Sequence, residues 1–143
     1  MLKSIDPLLN ADVLHALRSM GHGDDLVLCD TNFPADSVAR QTVLGRLLRI
    51  DNVPASRAAR AILSVLPLDS FVDKPASRME IMDKPEEIPP VQAEVQAVID
   101  AAQGRPSPMG GIEPSCGRSP RRRRGRNRKQ NTGSFRRQCG CAF

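Results

Sequence analysis

The stretch Met20-Gly21-His22-Gly23-Asp24-Asp25-Leu26-Val27-Leu28-Cys29-Asp30-Thr31-Asn32-Phe33-Pro34 decides how the chain is read. Residues 26–29 form a short apolar run bounded by acids, which suits a strand buried on both faces of a parallel sheet. Ahead of it, Asn10 is placed as an N-cap and Asp12 favours the positive helix end. Val13, Leu14, Leu17 and Met20 follow at helical spacing, so the pattern predicts an amphipathic helix over 11–20. Gly21 is expected to supply its left-handed stop. After the strand, Asp30 opens a loop through Phe33 and Pro34.

The same periodicities continue downstream. Pro54 and Pro67 bracket a second helix over 54–66, whose stripe is Ala58, Ala59, Ile62, Leu63 and Leu66. Short strands are expected over 46–50, 70–72 and 78–82. A third helix should begin at Pro90, run to Ala102 and stop at Gly104. Helices alternating with short buried strands predict an α/β domain, a layered open sheet with flanking helices. Ligands of such sheets sit beyond the carboxyl ends of the strands, where Asp30 falls.

The chemistry-bearing residues lie in the opening stretch. His22, set between two glycines, is free of bulky neighbours, and imidazole as a class gives or takes a proton near neutral pH. Asp30 could meet it in one pocket, binding sugar hydroxyls or orienting the ring. The alternative is that His22 is an exposed turn residue and that Asp30 caps the next turn.

Charge divides the chain in two. Of its 21 Lys and Arg, 10 fall in residues 114–143, which hold none of the 16 Asp and Glu. Residues 1–113 are therefore expected to be an acidic domain with net charge −5, and 114–143 a basic tail with +10. With no Trp, no Tyr and four Phe, the core must be aliphatic. No apolar run approaches the roughly 18–20 residues that span a bilayer, and no signal architecture opens the chain, so cytoplasm is the expected location. Cys29, alone in the acidic part, reads as a small buried hydrophobe.

Met20-Gly21-His22-Gly23-Asp24-Asp25 followed by Cys29-Asp30-Thr31-Asn32-Phe33-Pro34-Ala35 is very similar to the signature of the fucose mutarotase family, the FucU branch of the RbsD/FucU proteins. The opening Leu2-Lys3-Ser4-Ile5-Asp6-Pro7-Leu8-Leu9 and the run Leu66-Pro67-Leu68-Asp69-Ser70-Phe71-Val72 resemble the same family, and the likeness covers residues 1–113 in order. The resemblance implies a mutarotase that interconverts the α and β anomers of L-fucose or a related pyranose. It implies no cofactor, no metal, and homo-oligomers with shared sites. It assigns His22 as catalytic acid/base and Asp30 as substrate-binding, with Asp24 and Asp25 in turn and structural roles. A non-catalytic monosaccharide-binding protein is the alternative.

Beyond Glu113 the resemblance stops. The family continues with an Arg-Phe-x-Phe-Tyr-Glu segment and ends near a Tyr-Gly-Asn segment, whereas this chain reads Pro114-Ser115-Cys116-Gly117-Arg118 and has no Tyr. Residues 104–111 read as a linker, and the tail, with Arg121-Arg122-Arg123-Arg124-Gly125-Arg126, lacks the apolar content to fold, so disorder is expected. Its Arg, Pro, Gly, Ser and Cys content is what a reading-frame change near codon 113 of a G+C-rich gene would give. The arginine run could neutralise phosphates, but no aromatics are interleaved for base stacking, and nucleic acid is the weaker alternative partner. Cys116, Cys139 and Cys141 lack the paired spacing of a metal site.

Overall fold

The computed structural model describes residues 2–112 and, as backbone, 137–142. Helix α1 (Ala11–Ser19) begins as the sequence predicts: the Asn10 side chain accepts the Val13 N–H at 3.0 Å. The same side chain donates to the Arg49 carbonyl at 3.0 Å, tying the start of α1 to strand β2 (Leu48–Arg49). The exit of α1 differs from expectation. Met20 leaves it in extended conformation, and the left-handed residue is Gly23, with φ 88°, not Gly21. A four-residue turn explains the shift, since the Asp24 N–H closes onto the Gly21 carbonyl at 3.1 Å.

Strand β1 (Asp24–Cys29) follows directly, then a short helix α2 (Ala35–Ala39) that the apolar pattern did not reveal. Helix α3 (Ala55–Leu63) starts just after Pro54, which serves as its cap residue. Ala58, Ala59, Ala61 and Ile62 are its buried positions. Strand β3 is Ser77–Met79, helix α4 is Pro90–Gln103, and strand β4 is Gly110–Ile112. Gly104 ends α4 in the left-handed conformation at φ 66°, as its position past the last helical turn predicts.

The strands form two parallel sheets. One has the order β1-β5-β2, where β5 is Arg137–Ala142, and the other pairs β3 with β4. This is the expected α/β architecture, with helices flanking an open sheet. The tail expected to lack structure falls mainly on residues 113–136 and 143, outside the described residues; of the rest, Arg137–Ala142 is a strand. Its backbone pairs in parallel with β1 on one side and β2 on the other.

Two further expectations are corrected. Residues 70–72 form no strand: the backbone bends there and Phe71 is 87% exposed. Residues 104–111 are not a loose linker. Gln96 and Asp100 on α4 grip this segment, accepting the N–H of Met109 and Ser107 at 2.9 and 2.8 Å, and Gly110–Ile112 joins a sheet.

The core is aliphatic, as the absence of Trp and Tyr dictates. Val13, Ala16 and Leu17 of α1 meet Leu48 and Ile50 from the β2 region and Ala58, Ala61 and Ile62 of α3. Truncating Ile62 to Ala would cost about 2–5 kcal/mol, through lost transfer energy and the cavity left behind. Strand β1 lies at a sheet edge and is half-buried along its length, less enclosed than a strand covered on both faces.

Candidate functional site

The turn that carries His22 is built by its neighbours. The Asp24 carboxylate accepts the Gly21 N–H at 2.7 Å while its own N–H returns to the Gly21 carbonyl, and Gly23 supplies the positive φ. His22 sits at the bend with its side chain 69% exposed. Its Nδ1 lies 3.4 Å from Oδ2 of Asp69, and the Phe71 ring meets the imidazole edge to face, with centroids 5.5 Å apart and planes at 88°. Asp69 is itself fixed, because its Oδ1 accepts the Phe71 N–H at 2.8 Å. One carboxylate thus lies beside the imidazole and holds the backbone that presents the phenyl ring. Sequence reading matched Asp69 and Phe71 to a family segment but gave neither a role, since nothing in their spacing brings them to His22.

Asp30 stands elsewhere. Its Oδ1 accepts the N–H groups of Asn32 and Phe33, both at 3.1 Å, and so closes the turn that follows β1. His22 precedes β1 and Asp30 follows it. Six extended residues span about 17–20 Å, so the strand keeps the two side chains at opposite ends within one chain. The expectation that they share one pocket of a single chain is therefore corrected. Beside Asp30, burial first and the neighbouring carboxylate second push the Cys29 thiol above its usual range.

The surroundings of His22 are made by three connections that enter strands from their amino ends. Residues 20–23 lead into β1, 64–76 into β3 and 104–109 into β4. Phe71 also lines a cavity of about 270 Å³ together with Ser70, Val72, Asp73 and residues 105–108. A larger groove of about 600 Å³ follows the seam between α3 and α4, lined by Leu63, Ala97, Val98 and Ala101 among others. It holds none of His22, Asp30 or Asp69, and it marks small residues at a helix contact rather than a centre of chemistry. Among the described residues no cluster of His, Cys, Asp and Glu is arranged to hold a metal ion, and no helix is long and apolar enough to cross a membrane.

Comparison with known proteins agrees with the motif reading. The chain is 36% identical over 104 residues to the fucose mutarotase of Homo sapiens, a match covering 71% of this chain and 66% of that protein. The chain thus spans slightly under two thirds of that relative's length. Its fold superposes on the crystal structure of protein Atu2016 with a TM-score of 0.76 and 65% identity, covering 80% of this chain and 76% of that one. It also superposes on a fucose mutarotase in complex with L-fucose from Streptococcus pneumoniae, with a TM-score of 0.66 and 30% identity over 78% and 76% of the two chains. The model of the RbsD / FucU transport protein family matches residues 3–114, and the chain belongs to that family, on its fucose mutarotase side.

Proposed function

We propose that this protein is a monosaccharide mutarotase that interconverts the α and β anomers of L-fucose or a closely related pyranose. The observation that carries the reading is the imidazole of His22, with Asp69 beside its Nδ1 and Phe71 against its ring, and its other nitrogen left for a ligand. Its relatives, fucose mutarotases at 36% and 30% identity, support the substrate class.

Ring opening needs a proton removed from the anomeric hydroxyl and one delivered to the ring oxygen; closure on the other face reverses both. An imidazole serves each step by alternating between acceptor and donor. Asp69 contributes by fixing the tautomer and the plane of the ring, so that the nitrogen facing the sugar exchanges the proton. Asp30 in this reading binds sugar hydroxyls through the carboxylate oxygen that is not engaged with Asn32 and Phe33. No cofactor enters the cycle.

Because β1 separates His22 from Asp30, one site that uses both takes them from two copies of the chain. The proposal therefore includes a homo-oligomer with sites shared between subunits. Saturation-transfer NMR on L-fucose anomers, with the 143-residue chain and its His22→Ala variant, tests the catalytic reading. Exchange above the spontaneous rate that disappears in the variant supports it. Binding of L-fucose without any exchange would leave a sugar-binding protein instead.

A further inference from the structure

The cavity behind Phe71 has a composition that the mutarotase reading does not use. Its walls come from two connections, residues 70–73 and residues 105–108. Arg105 and Asp73 both line it, yet among the described residues neither makes an ion pair with the other or with any other group. Ser107 is the buried member, only 6% exposed. Its backbone is fully engaged: the N–H donates to Asp100 and the carbonyl accepts from Gln96, each at 2.8 Å. Its hydroxyl has no hydrogen-bond partner among the described residues, although the residue faces the cavity. The residue is buried as a whole, but its hydroxyl is not a buried unpaired atom: it opens to the cavity, where it can meet a ligand's polar group.

The donor set identifies that ligand. A guanidinium donates only, a carboxylate accepts only, and a serine hydroxyl does both, which together match the alternating donors and acceptors of vicinal sugar hydroxyls. An inorganic or carboxylate anion fits less well, because Asp73 sets a negative charge in the same cavity. Phe71 adds an aromatic wall, and at about 270 Å³ the space lies just under the range of drug-sized pockets and suits one small ring.

We propose that this cavity is a subsite for a neutral, hydroxyl-rich monosaccharide, with Arg105, Ser107 and Asp73 as its binding groups and Phe71 as the wall it shares with His22. The inference deepens the mutarotase reading by placing sugar-binding groups next to the proposed acid/base, and it rests on that reading for the sugar class. Gln96 and Asp100 are positioning residues here, since they hold the Ser107 backbone against α4.

The test is calorimetric titration of the full chain with L-fucose, alone and with excess inorganic phosphate, alongside anomer exchange. Arg105→Gln changes an exposed side chain and Ser107→Ala removes only the hydroxyl. Each should weaken L-fucose binding by roughly tenfold, the scale of one lost hydrogen bond to a charged or buried partner, and phosphate should not compete. Unchanged affinity in both variants, displacement of the sugar by phosphate, or no binding by the parent chain overturns the subsite. If the parent exchanges anomers and His22→Ala does not, while Arg105→Gln binds normally, the subsite falls and the mutarotase reading stands. If Arg105→Gln loses binding and the parent never exchanges anomers, the mutarotase reading falls and the subsite stands.

Discussion

Asp69 joins two functions in one carboxylate: Oδ2 lies 3.4 Å from Nδ1 of His22, and Oδ1 accepts the N–H of Phe71 at 2.8 Å. The histidine is exposed and sits on a glycine-flanked turn, so beyond Asp69 and the Phe71 ring little restrains it. An imidazole free to rotate would seldom present the correct nitrogen to a sugar. Its orientation therefore depends on a side chain 47 positions away in the sequence.

From that pair it follows that Asp69→Asn should depress L-fucose anomer exchange more than it weakens sugar binding. Loss of the partner that orients a metal-bound histidine costs about 10–100-fold, and an effect of that order is expected here. The check is saturation transfer for the rate and calorimetry for affinity. A variant that exchanges anomers at the parent rate would remove Asp69 from the mechanism.

The turn itself is open to a cleaner test. Gly23 has φ 88°, and a Cβ built there meets no atom within 4 Å, so an alanine would suffer backbone strain without a clash. Gly23→Ala should lower unfolding free energy by about 1 kcal/mol in urea titration. A variant as stable as the parent would show that the turn relaxes away from this conformation.

Residues whose neighbours are close in sequence could be read directly. The Asn10 cap, the α3 stripe around Ala58 and Ile62, and the Gly104 stop depend on local spacing, and each is found where the pattern places it. The misread elements depend on distant partners. Residues 104–111 look like a linker because their order comes from Gln96 and Asp100 on the preceding helix, whose side chains give no periodic signal. Phe71 reads as part of a strand on apolar character alone, whereas its ring faces an imidazole 49 positions earlier in the sequence. His22 and Asp30 stand out in the sequence, but their separation of eight positions conceals the length of an extended strand between them.

The N-terminal segment carries a pH signature. Arg57 Nη1 lies 2.6 Å from Oδ2 of Asp6, and that hydrogen bond, reinforced by the Leu8 N–H, holds the Asp6 carboxyl below its ordinary value of 3.8. A depressed folded-state value stabilises the fold fully above the ordinary value, and the contribution disappears as pH falls through the folded one. Thermal melts of Asp6→Asn and the parent should therefore differ at neutral pH and converge below pH 3.8. A gap that persisted unchanged into strong acid would assign the effect to packing instead of charge.

The separation imposed by β1 yields the most discriminating prediction. If His22 and Asp30 act in one site, the two must come from different copies of the chain. His22→Ala removes the acid/base from every site, and Asp30→Ala removes the hydroxyl acceptor, so each variant alone should lose most anomer exchange. When the two variants are mixed and allowed to exchange subunits, some interfaces pair an intact His22 with an intact Asp30. Random mixing of equal amounts restores about a quarter of such sites, because each site needs the unaltered residue from both contributors, with a one-half chance apiece. Saturation transfer on the mixture should accordingly recover a substantial fraction of the parent rate. Recovery can occur only if the site spans two subunits. A mixture as inactive as its components, under conditions where differently tagged copies demonstrably co-assemble, would mean that His22 and Asp30 are needed from the same copy of the chain, and the shared site would fall.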